Sequence, residues 1–313
     1  MSLTQKEKDA RKKGIGGTDA GVLMGVNNYK SPYTLFQEKT GMISDEIPDN
    51  EAMYWGNSFE NNVLNRFYED MPHLRPTFRE EKDTVVIRPG GIPDYVIGMT
   101  DSVFAEMDEE IILGFGIVDA KTMCWPAYDS IEEVVQSIEI GNHHYYYQIQ
   151  HYLLLTGCTV GYIAILFMDK REFRIIKIQR NEEDINLMLT AYEHFWNCVE
   201  SNSWDRVIDG SESTTKTIKS MNHIENNLEK QLSEGSVQLW DTIIQRKEMI
   251  KELDESKRTM ENQIRNELGE YTYGVLPGGR KLSLKVTNKK GYQPKYIEPT
   301  SYRSLREVKQ KRK

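Results

Sequence analysis

The sequence is poor in cysteine and lacks any long apolar run. Its 313 residues contain three cysteines, Cys124, Cys158 and Cys198, which lie far apart and form no CxxC pair. This spacing argues against a disulfide framework, a structural zinc site and a cysteine-ligated iron–sulfur cluster. No run of 18 apolar residues appears and the first residues are charged, so we expect neither a membrane span nor a signal segment. The expected location is the cytoplasm.

A glycine-rich run, RKKGIGGTDAGVLMG at residues 11–25, lacks the context of a nucleotide site. No apolar strand precedes it and it has no GK[ST] sequence, so neither a dinucleotide site nor a P-loop is expected. Gly14, Gly16 and Gly17 permit a tight turn, and Thr18 is predicted to cap a helix whose positive end could face an anion. The alternative is a helix start that packs closely on a neighbour.

Positive charge is scarce in most of the chain and concentrated at its end. The chain carries 40 Lys and Arg against 48 Asp and Glu, yet residues 271–313 contain 12 basic and two acidic residues. The rest therefore has a formal balance of −18. A basic segment of this kind is typical of contact with polyanions, although a solubilising terminus is the alternative. The acidic body does not exclude nucleic acid, because carboxylates that bind divalent cations are counted without their metals.

Apolar periodicity predicts a sheet flanked by helices over residues 1–205, an α/β or α+β domain. Three helices are expected first, and the third should bury a stripe formed by Trp55, Phe59, Val63 and Phe67. Three strand-like runs should then form an antiparallel meander, at residues 84–89, 94–107 and 110–123. An aromatic helix that stops at Gly157, two strands and a helix over 182–201 complete the domain.

The remainder of the chain has a different pattern. Residues 206–270 are predicted to form a helical hairpin or a short coiled-coil segment ended by Gly269. The apolar residues recur at steps of three, four and seven: Leu239, Ile243, Ile250, Leu253, Met260, Ile264 and Leu268. Residues 271–313 should form a β-hairpin around Pro277, Gly278 and Gly279, followed by a basic tail.

The stretch GIVDAKT carries the clearest chemical signal. Side chains two apart on a strand share a face, so Asp119 and Lys121 should project together. Asp101 precedes on the neighbouring strand, and Glu60 lies beside the apolar stripe of the third helix, from which it can be turned toward the same place. Oxygen ligands of this kind suit Mg²⁺ or Mn²⁺, and two such ions can stabilise both oxygens of a phosphodiester cleavage. A salt-bridged surface pair is the alternative for Asp119 and Lys121.

Five motifs in order carry a family resemblance over about residues 8–200: R-x-x-G-I-G-G-T-D-A, W-G-N-x-F-E, T-D, D-A-K-T and Y-x-Q-x-Q-H-Y-x-x-x-T-G. This order resembles the YqaJ-type viral recombinases, phage recombination exonucleases related to lambda exonuclease within the PD-(D/E)xK superfamily. The resemblance implies a PD-(D/E)xK core, a central mixed sheet flanked by helices. It also implies a metal-dependent exonuclease that resects linear duplex DNA from the 5′ end for a single-strand annealing protein.

The resemblance also assigns roles to individual positions. Asp101 and Asp119 match the metal-binding acids, Lys121 the catalytic lysine and Glu60 the helix carboxylate, and the carbonyl of Ala120 is a further candidate ligand. The positions that match the 5′-phosphate ligands are Arg11, Thr18 and Gln148.

The chain departs from the family pattern at three places. Thr100, Asp101 and Ser102 stand where Pro-Asp-Gly is usual, Asp119 replaces a glutamate, and Met99 replaces a phosphate-binding serine. A structure-specific endonuclease on the same core, or an inactive DNA-binding or scaffold protein, therefore remain the alternatives. A homo-oligomer is also possible.

Overall fold

The computed structural model describes residues 11–44, 50–78, 90–98, 100–124, 130–221 and 229–285. The chain divides into two compact units, Met1–Asn222 and His223–Lys313. The helices of the first unit are α1 (Gly17–Leu23), α2 (Pro32–Lys39), α3 (Glu51–Asp70), α4 (Ile131–Glu139), α5 (His144–Thr156), α6 (Glu182–Ser201) and α7 (Glu212–Ser220). Its strands are β1 (Leu74–Phe78), β2 (Ser102–Asp108), β3 (Ile111–Met123), β4 (Val160–Phe167) and β5 (Glu172–Gln179).

The five strands form one mixed sheet in the order β1-β2-β3-β4-β5. β1, β2 and β3 are antiparallel neighbours, β3 and β4 are parallel, and β4 and β5 are antiparallel. A parallel pair needs a long crossover, and here α4 and α5 lie between β3 and β4 in the sequence. The predicted mixed sheet with flanking helices is confirmed, and the crossover brings α5 to the strand that carries Asp119.

The first strand of the meander is not the one that the sequence predicted. β1 lies at Leu74–Phe78, in a segment that contains Pro76, and among the described strands it pairs with β2 alone. An edge strand tolerates proline because one side of its backbone has no ladder partner. Proline is rare in strands, and the sequence pattern therefore did not predict β1. The predicted strand at residues 84–89 lies outside the described residues.

The predicted strand over residues 94–107 is wrong in its first part. β2 begins at Ser102, and before it only Val96 forms an isolated parallel bridge, with Ile15. The Ile15 N–H donates to the Tyr95 carbonyl at 2.6 Å, and the Ile97 N–H donates to the Ile15 carbonyl at 2.9 Å. This apolar segment therefore pairs with the glycine-rich run and not with the sheet.

Helices cover both faces of the sheet. On one face Val63, Leu64 and Phe67 of α3 pack with Phe104 and Val118. On the other face the apolar residues of α4 and α5 pack with β3, β4 and β5, a cluster that includes Ile117, Ile131, Ile138, Ile149, Leu153, Ile163 and Ile165. The predicted core stripe of α3 is wrong at its start, since Trp55 is 45% exposed. Trp55 lies in the first turns of α3, ahead of the part of the helix that packs on the sheet.

Close packing explains two glycines of the glycine-rich run. A Cβ on Gly17 would lie 2.7 Å from the Tyr152 ring, and one on Gly21 would lie 2.5 Å from Cβ of His144. Both neighbours belong to α5, so these glycines allow α1 to approach α5 closely. This was the alternative interpretation of the run.

The start of α1 differs from the prediction. Gly16 occupies the N-cap position, and the Asp19 carboxylate accepts its N–H at 2.9 Å. Thr18, predicted as the cap, is exposed in the first turn. Thr18 was expected to cap the helix with its hydroxyl, but a glycine at the N-cap has no side chain that could do so, and the Asp19 carboxylate accepts the backbone N–H of Gly16. An acid in the first turn also interacts favourably with the helix dipole.

The first unit extends beyond the expected end at residue 205. Helix α7 belongs to it, because Thr214 and Thr217 are buried and their hydroxyls bond to those of Ser31 and Thr34 on α2 at 2.7 and 2.8 Å. The contact between α7 and α2 is formed by hydrogen-bonded hydroxyls and not by apolar side chains. The apolar pattern of the sequence therefore did not predict that α7 packs on the first unit.

The second unit contains one long helix and a hairpin. α8 (Glu234–Leu268) is continuous over 35 residues. Residues 206–270, predicted as a helical hairpin or a short coiled-coil segment, therefore contain two separate helices: α7 in the first unit and α8 in the second. All of α8 is described and none of its residues is buried. β6 (Tyr273–Val275) pairs antiparallel with β7 (Lys281–Ser283), which confirms the β-hairpin. Within the described residues, no helix is both long and apolar enough to cross a membrane.

The close approach of α1 to α5 gives the first prediction. Gly21→Ala should lower the free energy of unfolding by about 1–3 kcal/mol, because the methyl group would overlap His144. Helix propensity alone predicts a gain of roughly 0.5–1 kcal/mol. Urea denaturation followed by circular dichroism measures the sign. The control is Gly235→Ala in α8, where the nearest atom is 3.7 Å away. Stabilisation by Gly21→Ala would contradict the packing argument.

Candidate metal centre

β3 places an acid and a lysine side by side. Asp119 and Lys121 project from the same face, as predicted, and their side chains form an ion pair. Ala120, between them, packs against the α3 side of the sheet. The Asp119 side chain is 2% exposed and that of Lys121 is 18% exposed. A surface salt bridge, the alternative interpretation, is therefore wrong.

Asp101 is brought to this pair by the register of the sheet. Ser102 pairs with Val118, so Asp101, just before β2, lies beside the strand segment that carries Asp119. The Ala120 N–H donates to Asp101 Oδ2 at 2.7 Å. This hydrogen bond orients an otherwise exposed carboxylate. The structure thus shows the Ala120 amide in contact with Asp101, and the role of its carbonyl as a metal ligand stays a prediction.

Two further carboxylates, those of Asp101 and Glu60, lie within electrostatic reach of Asp119. Burial raises the pKa of the Asp119 carboxyl, Lys121 lowers it, and the charges of Asp101 and Glu60 raise it again, so the pKa stays above its ordinary value. Burial alone lowers the pKa of Lys121, but the charges of Asp119 and Asp101 more than offset this and raise it. The lysine is therefore held as a cation. The site as a whole has more negative charge than the lysine balances.

Helix α5 supplies polar and aromatic contacts to the pair. Gln148 is buried and its Nε2 donates to Asp119 Oδ1 at 3.4 Å and to the Tyr152 hydroxyl at 3.0 Å. The Lys121 ammonium lies 5.4 Å from the centre of the Tyr145 ring. The sequence pattern alone gave no role in the centre to Tyr145 or Tyr152. Their spacing from Gln148, three and four residues, places all three on one helix face, and this was the available signal.

The donor set fits a hard divalent cation. Asp119 Oδ2 is buried and faces the Lys121 ammonium, but among the described residues it accepts no hydrogen bond of ordinary geometry. A buried carboxylate that is paired with one ammonium and lies near two further carboxylates would be stabilised further by a divalent cation. The oxygen-only set of Asp101, Asp119 and Glu60 suits Mg²⁺ or Mn²⁺ better than a softer ion.

The three predicted phosphate ligands occupy different environments. Arg11 and Thr18 are exposed, whereas Gln148 is buried against Asp119. The segment that carries Arg11 is held by Lys39, whose ammonium donates to the carbonyls of Arg11 and Gly14, both at 2.7 Å. The same ammonium pairs with Asp19 at 2.8 Å. The sequence did not predict this role of Lys39. The residue lies 28 positions from Arg11, and no pattern in its own helix indicates that it contacts that segment.

A cleft adjoins the centre. Its volume is about 710 Å³, and Trp55, Thr122, His143 and Tyr145 are among its lining residues. Burial lowers the pKa of His143 to about 4, so this side chain is neutral near pH 7. The cleft therefore offers aromatic and neutral polar surface, with the acidic side chains of Glu51 and Glu133, next to the centre.

Comparison with known proteins finds a family similarity in the first part of the chain. Residues 8–159 match the YqaJ-like viral recombinase domain. The predicted resemblance to this family is thereby confirmed. The matched residues include Glu60, Asp101, Asp119, Lys121 and Gln148, so the whole candidate centre lies inside them.

Relatives and structures extend this similarity. The uncharacterized protein YqaJ of Bacillus subtilis (strain 168) is 28% identical over 269 residues, which cover 85% of this chain and 78% of that protein. The alkaline exonuclease LHK-Exo from Laribacter hongkongensis in complex with dAMP is 16% identical, with 64% of this chain and 94% of that one covered and a TM-score of 0.48. A phage related exonuclease from Haemophilus somnus 129PT is 14% identical, with 60% and 96% covered and a TM-score of 0.38.

The buried ion pair gives the second prediction. In EDTA, Lys121→Met should destabilise the protein by about 3 kcal/mol, because Asp119 would remain buried without its counter-charge. The double variant Asp119→Leu Lys121→Met should recover most of this loss, since neither charge is then buried. Denaturant titration measures both. Lys170→Met is the control, because its side chain is 56% exposed. Additive losses in the double variant would show that the two charges are not coupled.

Proposed function

We propose that the protein is a metal-dependent exonuclease that degrades linear double-stranded DNA in the 5′-to-3′ direction and leaves a 3′ single strand for recombination. The observation that supports this proposal is the convergence of Asp101, Asp119 and Glu60 beside Lys121. Three carboxylates and a lysine are the groups that a phosphodiester hydrolase needs to hold divalent ions and to direct a water molecule. Similarity to the recombinase family agrees with a role at DNA ends.

Asp101, Asp119, Glu60 and the Ala120 carbonyl would hold two divalent ions, Mg²⁺ or Mn²⁺. When bound, they would lower the pKa of a coordinated water and stabilise charge on the attacking and leaving oxygens. Lys121 acts as a hydrogen-bond donor because its pKa is raised and it keeps its proton. It orients the attacking water or the scissile phosphate, and Gln148 and Tyr145 keep Asp119 and Lys121 in position.

The substrate reaches the centre through the adjoining cleft. Trp55 and Tyr145 offer ring faces on which bases can stack, a contact worth about 1–3 kcal/mol per base. The 5′ phosphate of the strand end is bound by Arg11 and Thr18, with Gln148 at the inner side of the site. Lys39 keeps the backbone that carries Arg11 in a fixed position, so the arginine is presented from a rigid segment.

The chain acts in the cytoplasm, where its DNA substrate lies, and passes the 3′ strand to a single-strand annealing protein. The basic residues after 271 support contact with DNA phosphates or with this partner. The exposed apolar residues of α8 support self-association, because a seven-residue repeat fits a second helix of the same repeat: Leu239, Ile243, Ile250, Leu253, Met260 and Ile264.

The exonuclease assignment gives the third prediction. With Mg²⁺ and end-labelled linear duplex, Lys121→Ala should lower the degradation rate at least about 100-fold, since an oriented proton donor is lost, while DNA binding is retained. Lys170→Ala is the control, because this exposed lysine lies in the turn between β4 and β5.

Closed circular duplex separates the proposal from its two alternatives. An exonuclease leaves the circle intact, whereas a structure-specific endonuclease cuts it. An inactive DNA-binding protein would shift the linear duplex in a gel without shortening it. Full activity of Lys121→Ala would remove the lysine from the mechanism.

The end-binding assignment gives the fourth prediction. Removal of the 5′ phosphate should slow initiation by the parent protein by roughly tenfold, because one charge-assisted contact is lost. Arg11→Ala should start slowly on phosphorylated and hydroxyl ends alike. Lys13→Ala is the matched control, since it removes the same charge from an exposed neighbour. Equal rates on the two ends in the parent protein would refute the pocket.

A further inference from the structure

A second cluster of metal-binding side chains lies at the end of α6. His194 and Cys198 are four residues apart on this helix, so they share one face. Cys198 is 4% exposed, whereas His194 is partly exposed. Asp205, from the segment after the helix, completes the group. None of these three residues belongs to the centre formed by Asp101, Asp119 and Lys121.

The segment after α6 is folded back by contacts of its own. Asn202 is left-handed, with φ of 49°, and ends the helix. The Ser203 N–H then donates to the Cys198 carbonyl at 3.0 Å. The Trp204 ring packs against Tyr33 and Phe36 of α2, at centroid distances of 5.7 and 5.3 Å. These contacts bring Asp205 back to the helix. They place its carboxylate next to Cys198 without any metal ion.

The candidate ligand atoms lie close to the spacing of a tetrahedral site. His194 Nε2 lies 3.1 Å from Asp205 Oδ2, and Cys198 Sγ lies 3.3 Å from the other carboxylate oxygen, Asp205 Oδ1. Cys198 Sγ lies 4.0 Å from His194 Nδ1. One ligand atom from each residue lies within 4.8 Å of those of the other two. Metal–ligand bonds of about 2.0–2.3 Å at tetrahedral angles separate ligand atoms by roughly 3.3–3.8 Å. An ion can thus be placed among the three with small side-chain rotations.

The ligand types indicate which ion would bind. A thiolate, an imidazole and a carboxylate form a set typical of Zn²⁺, whereas Mg²⁺ prefers oxygen ligands and keeps several waters. The two negative ligands balance the charge of the ion once the Cys198 thiol has released its proton to solvent. Asp205 is exposed, so water has access to the group and could supply a fourth ligand. The cysteine spacing in the sequence argues against zinc sites built from several cysteines. This site uses a single cysteine together with a histidine and an aspartate, so that argument does not apply to it.

We propose that His194, Cys198 and Asp205 bind one Zn²⁺, which ties the end of α6 to the segment that leads to α7. The ion is chemically distinct from those of the acidic centre and has a structural role. It holds the start of the connection whose far end, α7, is bonded through hydroxyls to α2.

Cobalt spectroscopy tests the site directly. The Asp101→Ala Asp119→Leu Lys121→Met protein removes the main ligands of the acidic centre without leaving a buried charge unpaired, and it serves as the background. Titration with Co²⁺ under reducing, anaerobic conditions should give a thiolate-to-cobalt charge-transfer band that saturates at one ion per chain, and Zn²⁺ should abolish the band. Cys198→Ser should lose the band. Cys124→Ser, which removes an exposed thiol elsewhere, should keep it.

A second variant protects the test against misfolding. His194 is partly exposed, so His194→Ala should fold even if Cys198→Ser does not. In the same background Zn²⁺ should raise the thermal midpoint, and His194→Ala should abolish this shift. Absence of the charge-transfer band in the background protein would overturn the proposal, as would a band that persists in both His194→Ala and Cys198→Ser. In either case the three side chains would form only the hydrogen-bonded group seen without metal.

Discussion

The burial of the Asp119 carboxylate within the sheet is the constraint on which the candidate centre depends. A charged group without water costs several kcal/mol unless partners replace its hydration. Lys121 and Gln148 supply part of that replacement, and the nearby charges of Asp101 and Glu60 work against it. The Asp119 carboxylate therefore depends on the Lys121 ammonium for much of its compensation. The proposed divalent ions would add positive charge at the same place.

The parallel pairing of β3 and β4 explains how this arrangement is built. A parallel pair requires a crossover, and the crossover carries α5 back across the sheet face from which Asp119 projects. Gln148 and Tyr145 reach the ion pair for this reason. Gly17 and Gly21 then allow α1 to lie against α5. The glycine-rich run thus contributes to the centre through packing, whatever its exposed residues bind.

Charged side chains that hold the backbone are as important as those assigned to chemistry. Lys39 makes three contacts that connect α2 with residues 11–19, two to backbone carbonyls and one to the Asp19 carboxylate. Asp101 is oriented by one backbone amide of the strand that carries Asp119. In both cases a contact between a charged side chain and the main chain fixes the position of a functional segment. These contacts join parts of the chain that are distant in sequence.

The sequence alone determined the elements with a strong local period and the residues that share a face within them. The helix at 182–201, the strands β4 and β5 and the pairing of Asp119 with Lys121 on one face followed from periods of 3.6 and 2. Tertiary structure decided three other features: the edge strand β1, the pairing of Val96 with Ile15, and the packing of α7 on α2. It also decided the positions of Gln148 beside Asp119 and of Asp205 beside Cys198. Periodicity is a property of neighbouring residues, whereas strand register and chain reversal depend on partners far along the chain, which no local pattern specifies.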